Sequence, residues 1–142
     1  MDFDELYQEI ILDHYKHPRN KCDLSHIPEK FRHENPACGD SIKLEVLMQG
    51  DTIERIRFDG SGCAISMASA SMMSELLSGK APSEVNSLTE MFIEVMQGER
   101  SKELLADWGD IASLSGVTQF PVRVKCATMA WRALHLQLNE VT

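Results

Sequence analysis

Residues 41–80 read "SIKLEVLMQGDTIERIRFDGSGCAISMASASMMSELLSGK", and the hydrophobic period changes inside this stretch. Ile42, Leu44 and Val46 alternate with Lys43 and Glu45, the pattern of a half-buried strand. A second strand-like run, Thr52–Asp59, follows after Gln49-Gly50-Asp51, so the two predict a β-hairpin. Beyond Gly60-Ser61-Gly62 the pattern becomes helical, starting near Cys63 or Ala64 and stopping at Gly79. The alanines and serines of that helix allow neighbours to approach closely.

Working outward, Phe3, Leu6, Tyr7, Ile10, Ile11 and His14 fall at helical spacing over residues 2–16, and "HPRN" (His17–Asn20) ends that helix. The segment "IPEKFRHENP" (Ile27–Pro36) has room for an edge strand. Downstream, Thr89–Met96 predicts a short helix closed by Gly98, and a charged segment, Glu99–Asp107, leads into "WGDIASLSGVTQFPVRVK", which Gly116 and Pro121 interrupt. A last helix is expected from about Cys126 to Asn139, burying Ala127, Ala130, Trp131, Leu134 and Leu138. Helix, strands, then helices predict an α+β fold with helices on one face of a small antiparallel sheet. With 142 residues, 43% hydrophobic content and no repeat or linker, residues 1–142 read as a single domain.

Fourteen Lys and Arg against 22 Asp and Glu give a formal charge of −8, which argues against nucleic acid or an anionic membrane as the main partner. The N-terminal stretch is acidic and amphipathic, unlike a signal peptide, and no apolar run approaches the roughly 20 residues that span a bilayer. The expected setting is cytoplasmic, where clustered cysteines more often bind metal or do chemistry than form disulfides.

Such a cluster can be assembled from three segments. In "NPACGD" (Asn35–Asp40), Cys38 and Asp40 flank a glycine on a turn entering the first hairpin strand. Gly39 can adopt backbone angles that bend both neighbours toward one centre. Cys63 and Cys126 each precede a predicted helix, where unpaired N–H groups and the helix dipole favour a thiolate. Together these four residues make a Cys3Asp set suited to tetrahedral zinc. Cys38 and Cys63 lie 25 positions apart, and Cys63 and Cys126 lie 63 apart, which are not zinc-finger spacings. Convergence must therefore come from the fold.

The motifs "NPACGD", "GSGCAISMASASMM" and "FPVRVKCATMAW", with "ILDHYKHPRN" upstream, resemble the iron–sulfur cluster assembly proteins of the IscU/NifU N-terminal family, most closely its SufU branch. The resemblance implies a three-stranded antiparallel sheet with helices on one side, and Cys38, Asp40, Cys63 and Cys126 as metal ligands. IscU scaffolds typically carry a histidine directly before the last cysteine, where this chain has Lys125, and a shorter spacing between the last two cysteines. Both departures favour the SufU branch. That branch implies zinc as cofactor, persulfide sulfur taken from a SufS-type cysteine desulfurase, and delivery to a downstream iron–sulfur scaffold.

Within that picture Cys38 is the expected catalytic nucleophile, because a loop cysteine can leave a metal with little loss of packing. Arg123 and Lys125 read either as cations that stabilise thiolate or guide the donor, or as solvated charges on a loop. Cys22, in "RNKCDL", reads as incidental. His14, His17, His26, His33 and His135 read as surface or helix-face residues, Asp13 as a solvated helix residue, and Met67, Met72, Met73, Trp108 and Trp131 as packing. Two alternatives stand beside sulfur transfer: a scaffold on which an iron–sulfur cluster is built, and a structural zinc module without sulfur chemistry.

Overall fold

The computed structural model describes residues 5–35 and 39–139. Helix α1 (Glu5–Lys16) is followed by a single 3-10 turn (Glu29–Phe31), then strands β1 (His33–Asn35), β2 (Asp40–Gln49) and β3 (Thr52–Ser61). Helices α2 (Ala64–Leu77) and α3 (Pro82–Met96) come next, then 3-10 segments Lys102–Leu105 and Gly109–Gln119, and finally α4 (Pro121–Asn139). The sheet is antiparallel throughout in the order β1-β2-β3, so the expected edge strand and hairpin are both present.

Pairing explains the faces. Leu44 opposes Phe58 and Val46 opposes Ile56 on the helix-covered side, while Glu45 opposes Arg57 on the other, where they form a 2.7 Å ion pair. The sequence of β3 does not alternate strictly, since Ile53 and Ile56 are both buried. Leu47 pairs with Arg55 but Met48 pairs with Ile53, so Glu54 is an extra residue in β3 and the bulge returns Ile53 to the core side. Beyond β3, Phe58 exchanges backbone hydrogen bonds with Asn20 and Cys22, and this short parallel bridge covers the sheet edge. Asn20 adopts φ +63°, a conformation asparagine tolerates, as the chain leaves α1.

Helix α2 is the centre of the molecule. Every residue from Ser66 to Ser74 is buried, as expected of a helix packed all round. Its serines make this tolerable through bonds to other elements: Ser69 Oγ donates to the Ala127 carbonyl (2.6 Å) and accepts the Trp131 indole N–H (2.9 Å). Trp131 also stacks on Phe92 with ring centroids 4.0 Å apart, so α2, α3 and α4 meet at one residue. Met67, Met72, Met73 and Trp131 are core residues, and Trp108 packs against the core half-buried, as expected.

Several expectations need correction. Helix α3 begins at Pro82, not Thr89, and α4 begins at Pro121, not Cys126. In both cases a proline occupies the first helical position, where its missing N–H costs nothing and its fixed φ suits the helix. Gly116 does not break its segment, which continues as a 3-10 helix through Gln119. His14 is not a surface residue: it is fully buried, with Nδ1 2.8 Å from Ser71 Oγ and Nε2 2.8 Å from Asp110 Oδ2. Asp13 is more than solvated, since its carboxylate pairs with Arg19 at 2.8 Å.

Candidate metal centre

The end of the hairpin meets the start of α2 and the second turn of α4. Asp40 is the first residue of β2 and is buried, opposite Asn35 of β1. Its Oδ1 accepts the Cys63 N–H at 2.9 Å. Cys63 in turn is the N-cap of α2, in extended conformation, with its sulfur accepting the Ser66 N–H at 3.4 Å. A carboxylate thus satisfies the amide of the cap residue, and the cap sulfur satisfies an amide of the first helical turn.

Glycine makes the approach possible. A Cβ on Gly62 would lie 2.2 Å from Asp40 Oδ1, and a Cβ on Gly60 would lie 2.1 Å from the Ser41 carbonyl oxygen. Both contacts are far inside van der Waals distance. The "GSG" before Cys63 is therefore required for the strand end and helix start to close on Asp40.

Cys126 is fully buried and completes the group: one ligand atom from each of Asp40, Cys63 and Cys126 lies within 4.8 Å of the others. Tetrahedral zinc with Zn–S near 2.3 Å separates its sulfurs by about 3.8 Å, so this spacing suits the ion. Two thiols and a carboxylate are a zinc-compatible donor set. Cys126 differs from expectation in one respect: it is the sixth residue of α4, a turn beyond the amides left unpaired at that helix start, so helix-end support reaches Cys63 alone.

Cys38 lies outside the described residues. The chain enters β2 through Gly39, whose φ of +74° and N–H bond to the Asn35 carbonyl (2.9 Å) form a tight turn into Asp40. The permissive backbone expected of Gly39 is thus in use. Arg123 and Lys125 are exposed, on the first two turns of α4 rather than on a loop. Beside Lys125 opens a cavity of about 440 Å³ between β1 and α4, lined also by Asn35, Met129, Arg132 and Leu136 among others. Cys22 is half-buried, its N–H bonded to the Phe58 carbonyl, and like Cys63 it forms no disulfide.

His14, Glu75 and Asp110 form a second close group that the sequence reading missed. Its arrangement is structural. Ser71 Oγ accepts the Arg19 N–H at 2.8 Å and lies 2.8 Å from His14 Nδ1, while His14 Nε2 lies 2.8 Å from Asp110 Oδ2. Helix α1 is thereby clamped to α2 and to the 109–119 segment.

Comparison with known proteins agrees with this architecture. The chain is 45% identical over 133 residues to the zinc-dependent sulfurtransferase SufU of Bacillus subtilis strain 168, covering 94% of this chain and 89% of that protein. It is 42% identical over 132 residues to the iron–sulfur cluster assembly scaffold protein IscU of Streptococcus pyogenes serotype M1, covering 91% and 80%. A crystal structure of a candidate SUF-system iron–sulfur scaffold protein from Fervidobacterium islandicum AW-1 superposes with a TM-score of 0.77 at 33% identity, covering 92% of this chain and 95% of that one. No helix among the described residues is long and apolar enough to cross a membrane. Residues 6–136 match the NifU-like N-terminal domain, and with the fold, the Asp40–Cys63–Cys126 group and these relatives in agreement, the chain belongs to that family.

Proposed function

We propose that residues 1–142 act as one domain in iron–sulfur cluster assembly, as a zinc-dependent sulfurtransferase that takes persulfide sulfur from a SufS-type cysteine desulfurase and relays it to a downstream scaffold. The observation that carries this reading is the convergence of buried Asp40 and Cys126 with half-buried Cys63 at one end of the fold. It is supported by the similarity to a protein named for zinc-dependent sulfur transfer. Zinc, when bound by Cys38, Asp40, Cys63 and Cys126, would hold the sulfurs as thiolates without redox chemistry of its own.

The transfer itself falls to Cys38. Its thiolate attacks the outer sulfur of the donor persulfide, forming a new S–S bond while the old S–S bond breaks and its electron pair leaves with the desulfurase cysteine thiolate. Cys63 and Cys126 are poorly suited to this step. One caps α2 and the other is buried inside α4, whereas Cys38 is joined to the sheet through the turn at Gly39. The exposed Arg123 and Lys125 and the neighbouring cavity offer a cationic docking edge on a protein of net charge −8.

The test is metal analysis of the purified protein, followed by cysteine desulfurase turnover with and without the zinc-loaded form. One zinc per chain and a zinc-dependent rise in turnover are expected, and Arg123→Ala should shift the concentration dependence of that rise. Zinc without any effect on turnover would leave a structural zinc module. The similarity to a named scaffold favours a second reading, in which a cluster is built on the same residues. Anaerobic reconstitution with ferrous iron and sulfide separates the two, since a scaffold gains iron, sulfide and visible absorption.

A further inference from the structure

Two buried side-chain hydroxyls among the described residues have no hydrogen-bond partner, Ser66 Oγ and Thr89 Oγ1. Their positions differ. Thr89 lies on α3, which supplies none of the site residues, whereas Ser66 is the third residue of α2 and its own N–H donates to Cys63 Sγ. In a capping box a longer side chain at this third position, glutamate or glutamine, takes the amide of the cap residue. Here that amide, on Cys63, is already held by Asp40 Oδ1 at 2.9 Å. Ser66 Oγ is thus a fully buried hydroxyl with a donor unused, on the residue whose own N–H already bonds the cap sulfur.

We propose that Ser66 is a positioning residue for the metal centre, its O–H donating to the Cys63 sulfur once the site is filled. The proposal rests on the metal-binding reading above. A buried hydroxyl without a partner is destabilising, and a sulfur carrying negative charge beside it is the acceptor that relieves the cost. Backbone N–H and side-chain O–H of one residue would then both point at one sulfur. This fixes the cap rotamer and so the position of the sulfur, in the way outer hydrogen bonds orient first ligands elsewhere.

The proposal predicts effects of opposite sign in the two forms. In the metal-free protein Ser66→Ala removes an unpartnered polar atom and should leave thermal stability equal or higher. In the loaded protein it should weaken zinc binding roughly 10- to 100-fold, measured by competition with a chromophoric chelator. It should also shift the sulfur-to-metal charge-transfer band of the cobalt-substituted form. Ser66→Thr, which keeps the hydroxyl, should restore both. Thr89→Val is the control: it also removes an orphaned hydroxyl, and should change neither affinity nor spectrum. Affinity within twofold of the parent, with an unshifted cobalt band, in Ser66→Ala would overturn the proposal while leaving zinc binding intact. A parent protein that binds neither zinc nor cobalt would overturn the metal reading and this proposal with it.

Discussion

Replacing Gly62 with alanine places a methyl group 2.2 Å from Asp40 Oδ1, 2.8 Å from its Cγ and 3.0 Å from its Cβ. An ordinary carbon–oxygen contact is more than 3 Å, so the buried carboxylate must retreat by about 1 Å or the helix start must lift. Either movement breaks the 2.9 Å bond from the Cys63 N–H to Asp40 Oδ1. Losing a hydrogen bond to a charged group and leaving a buried donor unpaired costs about 1–3 kcal/mol. For 142 residues the unfolding entropy is about 0.3 kcal/mol/K. The metal-free protein should therefore melt about 3–10 °C lower in calorimetry. Zinc affinity should fall as well, because Asp40 is displaced from the ligand set. The partner substitution isolates the cause: in an Asp40→Ala background the carboxylate is absent, so adding Gly62→Ala should cost much less than it does in the parent. A Gly62→Ala protein that melts within 1 °C of the parent and binds zinc equally well would refute the reasoning, as would simple additivity with Asp40→Ala.

Ser69→Ala leaves the Trp131 indole N–H buried without its acceptor at the junction of α2, α3 and α4, and should cost about 1–3 kcal/mol in urea unfolding without changing zinc stoichiometry. Glu29 is held at a pKa of about 2, first by its bonds to Arg32 and then by Lys43, well below its ordinary 4.5. A depressed carboxylate contributes stability that is present above its ordinary pKa and is lost as pH falls through the folded one. Between about pH 4.5 and 2, metal-free Glu29→Gln should accordingly lose less stability than the parent does, followed by circular dichroism.

How far the sequence carries depends on the kind of signal. The hairpin, the Cys63 helix start and the approach of Asp40 are written in local chemistry: alternation in 42–46, glycines at 50, 60 and 62, and a cap residue before a helical run. Proline was the recurring difficulty. Pro82 and Pro121 stand at first helical positions, yet a proline in isolation reads equally as a breaker, so α3 and α4 were expected too short and Cys126 was placed a turn too early. The bulge at Glu54 follows from pairing with β2, and no residue of β3 announces it. His14 sat at an apolar helical position, but its burial depends on Ser71 and Asp110, 57 and 96 positions away. Ser66 was invisible for a related reason, since an unpartnered hydroxyl is a property of the packed structure.

The central claim, that this chain accepts sulfur on Cys38, is tested most directly by locating the sulfur. The zinc-loaded protein is incubated with a cysteine desulfurase and isotope-labelled cysteine, then digested without reductant and analysed by mass spectrometry. One labelled sulfur on the peptide carrying Cys38, lost when a recipient scaffold protein is added, is the predicted result. Label on Cys63 or Cys126 with Cys38 unmodified, or no label on any cysteine while the desulfurase turns over, would contradict the account.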